Sequence, residues 1–124
     1  MGYAGFEELE VWKKSRALKL EIRDLVKSFP PEEKYRLTDQ LIRSSRSVSS
    51  QIAEGHGRST WQEKIRYCVI ARGSLSEVLN HLIDAYDEGF IIEERLNHFK
   101  NKITEVEKML NGYIKYLEKR VPAK

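Results

Sequence analysis

Hydrophobic positions recur along this chain at steps of three and four and almost nowhere in strict alternation, so the pattern predicts helices and no strands. The first helix is expected over residues 6–27, with Phe6, Leu9, Val11, Trp12, Leu18, Ile22, Leu25 and Val26 carrying the period and Pro30 and Pro31 closing it. A second is expected over 38–54, with Thr38 as its N-cap and Gly55 and Gly57 as its stop. Ser59, followed by Gln62 in the capping-box position, predicts the start of a third over 60–87 that breaks near Gly89. The fourth, over 92–119, has the cleanest repeat: Leu96, Phe99, Ile103, Val106, Leu110, Tyr113 and Leu117 form a heptad seam. Four such helices on short connections predict an all-α fold, an antiparallel up-down-up-down four-helix bundle in one domain over residues 1–124.

The second helix departs from the usual amphipathic pattern. Ser44, Ser45, Ser47, Ser49 and Ser50 take positions where lysine and glutamate are common, sacrificing helix propensity without adding charge. On a helical wheel Leu41, Val48 and Ile52 form a core stripe, while Ile42, Ser49 and Ala53 form a second one about a quarter turn away. A single bundle needs only the first, so the second is expected to meet another subunit. The alternative is that the serines are solvated or bond back to the preceding turn.

Composition narrows the class. With 124 residues, 40% hydrophobic and 33% charged, the chain is long enough to bury a core without disulfides or a metal. No apolar run approaches the ~18 residues of a membrane span. The start MGYAGFEELE lacks the basic-then-apolar pattern of a leader, so a cytoplasmic protein with no membrane partner is expected. The one cysteine, Cys68, lies among apolar residues and is expected to be a buried thiol.

The net charge of +3 conceals a segregated distribution. Residues 1–39 balance eight acids with eight bases, 40–72 carry +4, 73–107 carry −5 and 108–124 carry +4. Arg43, Arg46, Arg58, Lys64 and Arg66 are the candidate nucleic-acid contacts, since arginine and lysine beside serine suit phosphate. Lys115, Lys119, Arg120 and Lys124 either add a second basic patch or complement a helix C-terminus. Arg72 falls on an apolar stripe, where it must either join a partly buried polar network with Glu54 and Glu77 or lay its stem over Trp61 with its head in water.

Catalytic chemistry finds little support. Glu77 with His81 and Glu94 with His98 are spaced by four, whereas di-iron bundles use Glu-x-x-His. Gly55-His56-Gly57 lies at the negative end of a helix, the wrong end for phosphate. The expectation is therefore no enzyme, no catalytic residue, no metal, no cofactor and no small-molecule substrate.

The order FEELEVWKKS, FPPEEKYRLTDQLIRSSRSVSSQIAEGHGR and IARGSLSEVLNHL resembles the four-helix proteins encoded within intervening sequences of bacterial large-subunit (23S) ribosomal RNA genes. Leu37-Thr38-Asp39-Gln40-Leu41, Ile52-Ala53-Glu54-Gly55 and Gly73-Ser74-Leu75 followed by Glu77 carry the resemblance most specifically. Gln51 stands where that family usually has asparagine. The resemblance implies a homopentamer, similar to accessory proteins of diversity-generating retroelements, which bind nucleic acid and a reverse transcriptase through a basic surface. The expectation taken forward is a non-enzymatic oligomer that binds RNA or a nucleoprotein through repeated basic faces; the alternative is a protein-interaction scaffold.

Overall fold

The computed structural model describes residues 5–123. The expectation that the chain begins without a leader therefore falls partly outside the described residues, as does Lys124 of the C-terminal basic group.

Four long helices make up the fold: α1 (Glu10–Leu25), α2 (Leu37–His56), α3 (Trp61–Asp87) and α4 (Glu93–Glu118). Each packs on the next, and α1 also packs on α4, closing the four into a ring. Cross-helix contacts fix the directions. Ser47 meets Ser74 while Gly55 meets Tyr67, so α3 descends as α2 rises. Glu21 of α1 meets His98 of α4, while Lys14 and Glu105 line one small cleft, so this pair is antiparallel too. The architecture is a four-helix bundle, and no strand occurs among the described residues.

The heptad seam of α4 behaves as its spacing predicts, with Leu96, Phe99, Ile103, Val106, Leu110 and Leu117 buried. They meet Leu18 and Ile22 of α1, Leu41, Val48 and Ile52 of α2, and Leu75, Val78 and Leu82 of α3 in one continuous core. Trp61 and Tyr86 lie at the two ends of α3 and stay substantially exposed.

The helix ends differ from expectation in instructive ways. The first segment is not one helix: a single 3-10 turn, Phe6–Glu8, precedes an extended Leu9, and a second turn, Val26–Ser28, follows α1. Thr38 lies inside the first turn of α2 and does not cap it; the Glu33 carboxylate accepts from the Leu37 backbone N–H at 3.3 Å instead. The cap of α3 is Thr60, one residue beyond Ser59, and its hydroxyl accepts from the Glu63 N–H at 3.1 Å. Thr60-x-x-Glu63 therefore takes the capping-box spacing in place of Ser59-x-x-Gln62. At the end of α3, Gly89 has φ +78°, Phe90 N–H donates to Ala85 and Gly89 N–H to Tyr86, the bonding of a Schellman stop.

Gly55 also proves different from its expected role. It lies within α2 and is buried, and a Cβ built there would come 2.8 Å from the Tyr67 Cβ and 3.2 Å from the Lys64 carbonyl oxygen. It permits the close crossing of α2 and α3, and the helix stops at Gly57.

Candidate nucleic-acid interface

Ser44, Ser45, Ser47 and Ser49 of α2 serve packing inside one protomer, while Ser50 is exposed. Ser44, Ser45 and Ser49 are buried, and their hydroxyls donate to the carbonyls of Gln40, Ile42 and Arg46 at 2.8, 3.1 and 3.3 Å. Each polar group is thus satisfied locally, which lets a small side chain sit against a neighbouring helix without a desolvation cost. Ser47 reaches across to Ser74 of α3 at 2.8 Å. The expected subunit-contact stripe of Ile42, Ser49 and Ala53 needs correction at Ser49, which is only 4% exposed within the single chain. The physical reason is the ring: α2 has two helical neighbours, α1 and α3, so two packing faces arise without a second subunit. Ile42 is half-buried against the core and Ala53 is half-buried.

The expected polar network of Glu54, Arg72 and Glu77 does not form. Arg72 donates from Nη1 to Oδ1 of Asn111 on α4 at 2.9 Å, Glu54 pairs with Arg58 at 3.5 Å, and Glu77 is exposed. Arg72 is turned toward the α3–α4 groove, where a neutral amide satisfies it with less desolvation than a second buried charge would require.

The five cations that the sequence nominates separate into two groups. Arg58 and Lys64 each hold a partner within the fold: the Arg58 guanidinium lies 4.7 Å from the centre of the Tyr67 ring and donates to its hydroxyl at 2.5 Å. Lys64 donates from Nζ to the His56 carbonyl at 2.7 Å, placing a positive charge on the negative end of α2. Arg43 is well exposed, with Nε 3.0 Å from Asp39 one turn away. Arg46 and Arg66 are exposed and form no ion pair with a described residue. They do not converge: the register that sets Ser47 against Ser74 puts Arg66 about nine residues along α3 from Arg46, or ~13 Å at the helical rise.

Arg46 has other company. It lines a groove of about 240 Å³ between α1 and α2, together with Lys19, Leu20, Arg23, Ile42 and Ser45. Three cations surround an apolar floor with a serine, and no carboxylate lines the groove. Arg23 makes one exposed pair with Asp24 at 3.4 Å, outside the groove lining. Lys19 and Arg23 do not stand out in the sequence because residues 1–39 balance to zero. Their signal is local, two cations one turn apart flanking Leu20.

Two other groups are shifted from their ordinary acidity by the core. Burial pushes the Cys68 thiol up to about 11, and burial, with Cys68 and Tyr116 nearby, pushes the Tyr113 hydroxyl up to about 12. Cys68 is the buried thiol that its apolar setting predicts. Among the described residues no three His, Cys, Asp or Glu side chains gather within reach of one metal ion, and no helix is long and apolar enough to cross a membrane.

Comparison with known proteins bears on the same fold. A family model described as 23S rRNA-intervening sequence protein matches residues 7–112. The crystal structure of a protein of unknown function from the S23 ribosomal protein family, from Bacteroides thetaiotaomicron VPI-5482, superimposes with a TM-score of 0.78 at 26% identity, covering 85% of this chain and 95% of that one. Comparison with curated proteins gives no match.

Proposed function

This chain belongs to the 23S rRNA-intervening sequence protein family, and on that premise we propose that it is a non-enzymatic, oligomeric RNA-binding bundle of the cytoplasm. The observation that carries the reading is the carboxylate-free groove of Lys19, Arg23 and Arg46. Cations gathered in one groove neutralise phosphate charge and release its counterions. One groove is a weak phosphate ligand. Five copies on a homopentamer would act together through effective concentration, turning weak grooves into a firm, salt-sensitive grip.

Oligomerisation is supported by the apolar side chains that α3 leaves uncovered, Val69, Ile70, Ile83 and Tyr86. The same side chains favour the second reading, a scaffold for another protein with no direct nucleic-acid contact. Retention of the purified protein on RNA across a salt series tests the proposal. The wild-type chain is expected to bind at low salt and release steeply as salt rises, and Lys19→Glu with Arg46→Glu is expected to abolish retention. Unchanged retention in that double variant would overturn it, and a partner that survives both nuclease and salt would favour the scaffold.

A further inference from the structure

At the end of the bundle where α2 stops and α3 begins, an open cleft of about 430 Å³ is walled by Trp61, Tyr113 and Tyr116, with Leu9 and Leu117 beneath. Lys64 and His56 complete its lining, and no carboxylate does. The Lys64–His56 link joins the end of α2 to the first turn of α3, so the wall is braced from two helices. We propose that this cleft holds an unstacked nucleotide of single-stranded RNA, the base against the Trp61 and Tyr116 rings and the phosphate toward Lys64 and Arg120.

Three observations specify that occupant. Trp61 and Tyr116 are 36% and 48% exposed, and they border one cavity. One face of Tyr116 is covered by the Arg120 guanidinium, 3.5 Å from the ring centre, which a stacking base displaces toward its own phosphate, and Lys64 Nζ lies 5.9 Å from the Trp61 ring centre. Tyr113 and Tyr116 are stacked on one another, 12° apart with centres 6.1 Å apart, so a base taking the Arg120 position on Tyr116 extends an existing stack. Cations beside exposed aromatic faces are the general equipment of single-strand binding, where stacking accepts any base and the positive charge follows the backbone. A duplex keeps its bases inside and gains nothing from such a cleft. The volume lies within the range of small-molecule sites and suits one nucleotide better than a helix.

The polar atoms fit the same occupant. Tyr113 lines the cleft, and its hydroxyl has no partner among the described residues and keeps its proton throughout the physiological range, so it offers a donor to a base edge. Lys64 spends one N–H on the His56 carbonyl and retains two for phosphate.

The inference rests on the RNA-binding reading for the polymer but not for the cleft, and the test separates them. Trp61 fluorescence is read in a Trp12→Phe background, titrating adenosine monophosphate, single-stranded oligoadenylate and a blunt RNA duplex, with the Tyr116→Ala variant alongside. Tyr116 is half exposed, so its loss spares the core. Quenching by the single strand, with affinity reduced about tenfold in Tyr116→Ala and duplex binding unchanged, is expected. Tyr116→Phe, which keeps the ring, is expected to restore the quench. Duplex binding with no quench by single strand or nucleotide would overturn the cleft and leave the basic groove standing. Quench by the nucleotide with no retention of either polymer would overturn the RNA-binding function and keep the cleft as a nucleotide site.

Discussion

Gly55 and Tyr67 bring α2 and α3 so close that a Cβ on the glycine would lie 2.8 Å from the Cβ of the tyrosine. Real side-chain carbons do not approach so closely, and neither the Tyr67 Cβ nor the Lys64 carbonyl can move without its helix. Gly55→Ala is therefore expected to destabilise the bundle by about 1–3 kcal/mol despite the better helix propensity of alanine. At Gly73 of α3 and Gly112 of α4 an added methyl would meet no atom within 4 Å, and alanine at either is expected to stabilise by up to ~1 kcal/mol. Chemical denaturation of the three variants checks the opposed signs.

Arg58 and Arg66 are neighbours in the basic segment with different expected roles. Arg58→Ala removes the hydroxyl bond and ring contact at Tyr67 and is expected to cost about 1–2 kcal/mol of stability. Arg66→Ala is expected to stay within about 0.5 kcal/mol of wild type, since its side chain is exposed and makes no ion pair with a described residue. Equal denaturation midpoints for the two would contradict this division.

The hydroxyls of Ser47 and Ser74 share one bond across 27 residues of sequence. Removing one strands the other at a helix contact, whereas removing both leaves two methyls in place. A double-mutant cycle to alanine is expected to show a coupling of about 0.5–1.5 kcal/mol. The same cycle on Arg72 and Asn111 is expected to couple, while Arg72 with Glu77 is expected to give none.

Alkali should loosen the core at Cys68. Between its ordinary pKa of 9.0 and the folded value of about 11, the unfolded thiol has released its proton while the folded one keeps it. The unfolded chain then binds fewer protons, so stability is whole below pH 9 and falls as pH rises toward 11. Thermal melts across this window should show Tm declining, with a shallower decline in Cys68→Ala. Tyr113 extends the same loss between 10.0 and about 12.

Much of the fold is legible in the sequence because helix periodicity is a local property. The α4 repeat names residues that are buried, and the α2 stripe of Leu41, Val48 and Ile52 is fully buried as its wheel position requires. Capping is legible to within a residue, with Thr60 replacing Ser59, since both are small hydroxyl residues and only backbone geometry separates them. The second face of α2 misleads for a different reason. A wheel shows that a face is small and apolar but not which helix covers it, and Ser49 is covered from within the same chain.

By itself, the sequence determined four helices, their order, their apolar faces and the family, because each depends on residues within a few turns of one another. The tertiary structure decided which cations are free and which aromatics share a wall. Arg58 meets Tyr67 nine residues away, Arg72 meets Asn111 39 away and Glu21 meets His98 77 away. Such partners depend on the rotation and register of whole helices, which burial of the entire core sets together. That is why Lys64 is a brace, why Lys19 and Arg23 join Arg46, and why Trp61 and Tyr116 border one open cleft.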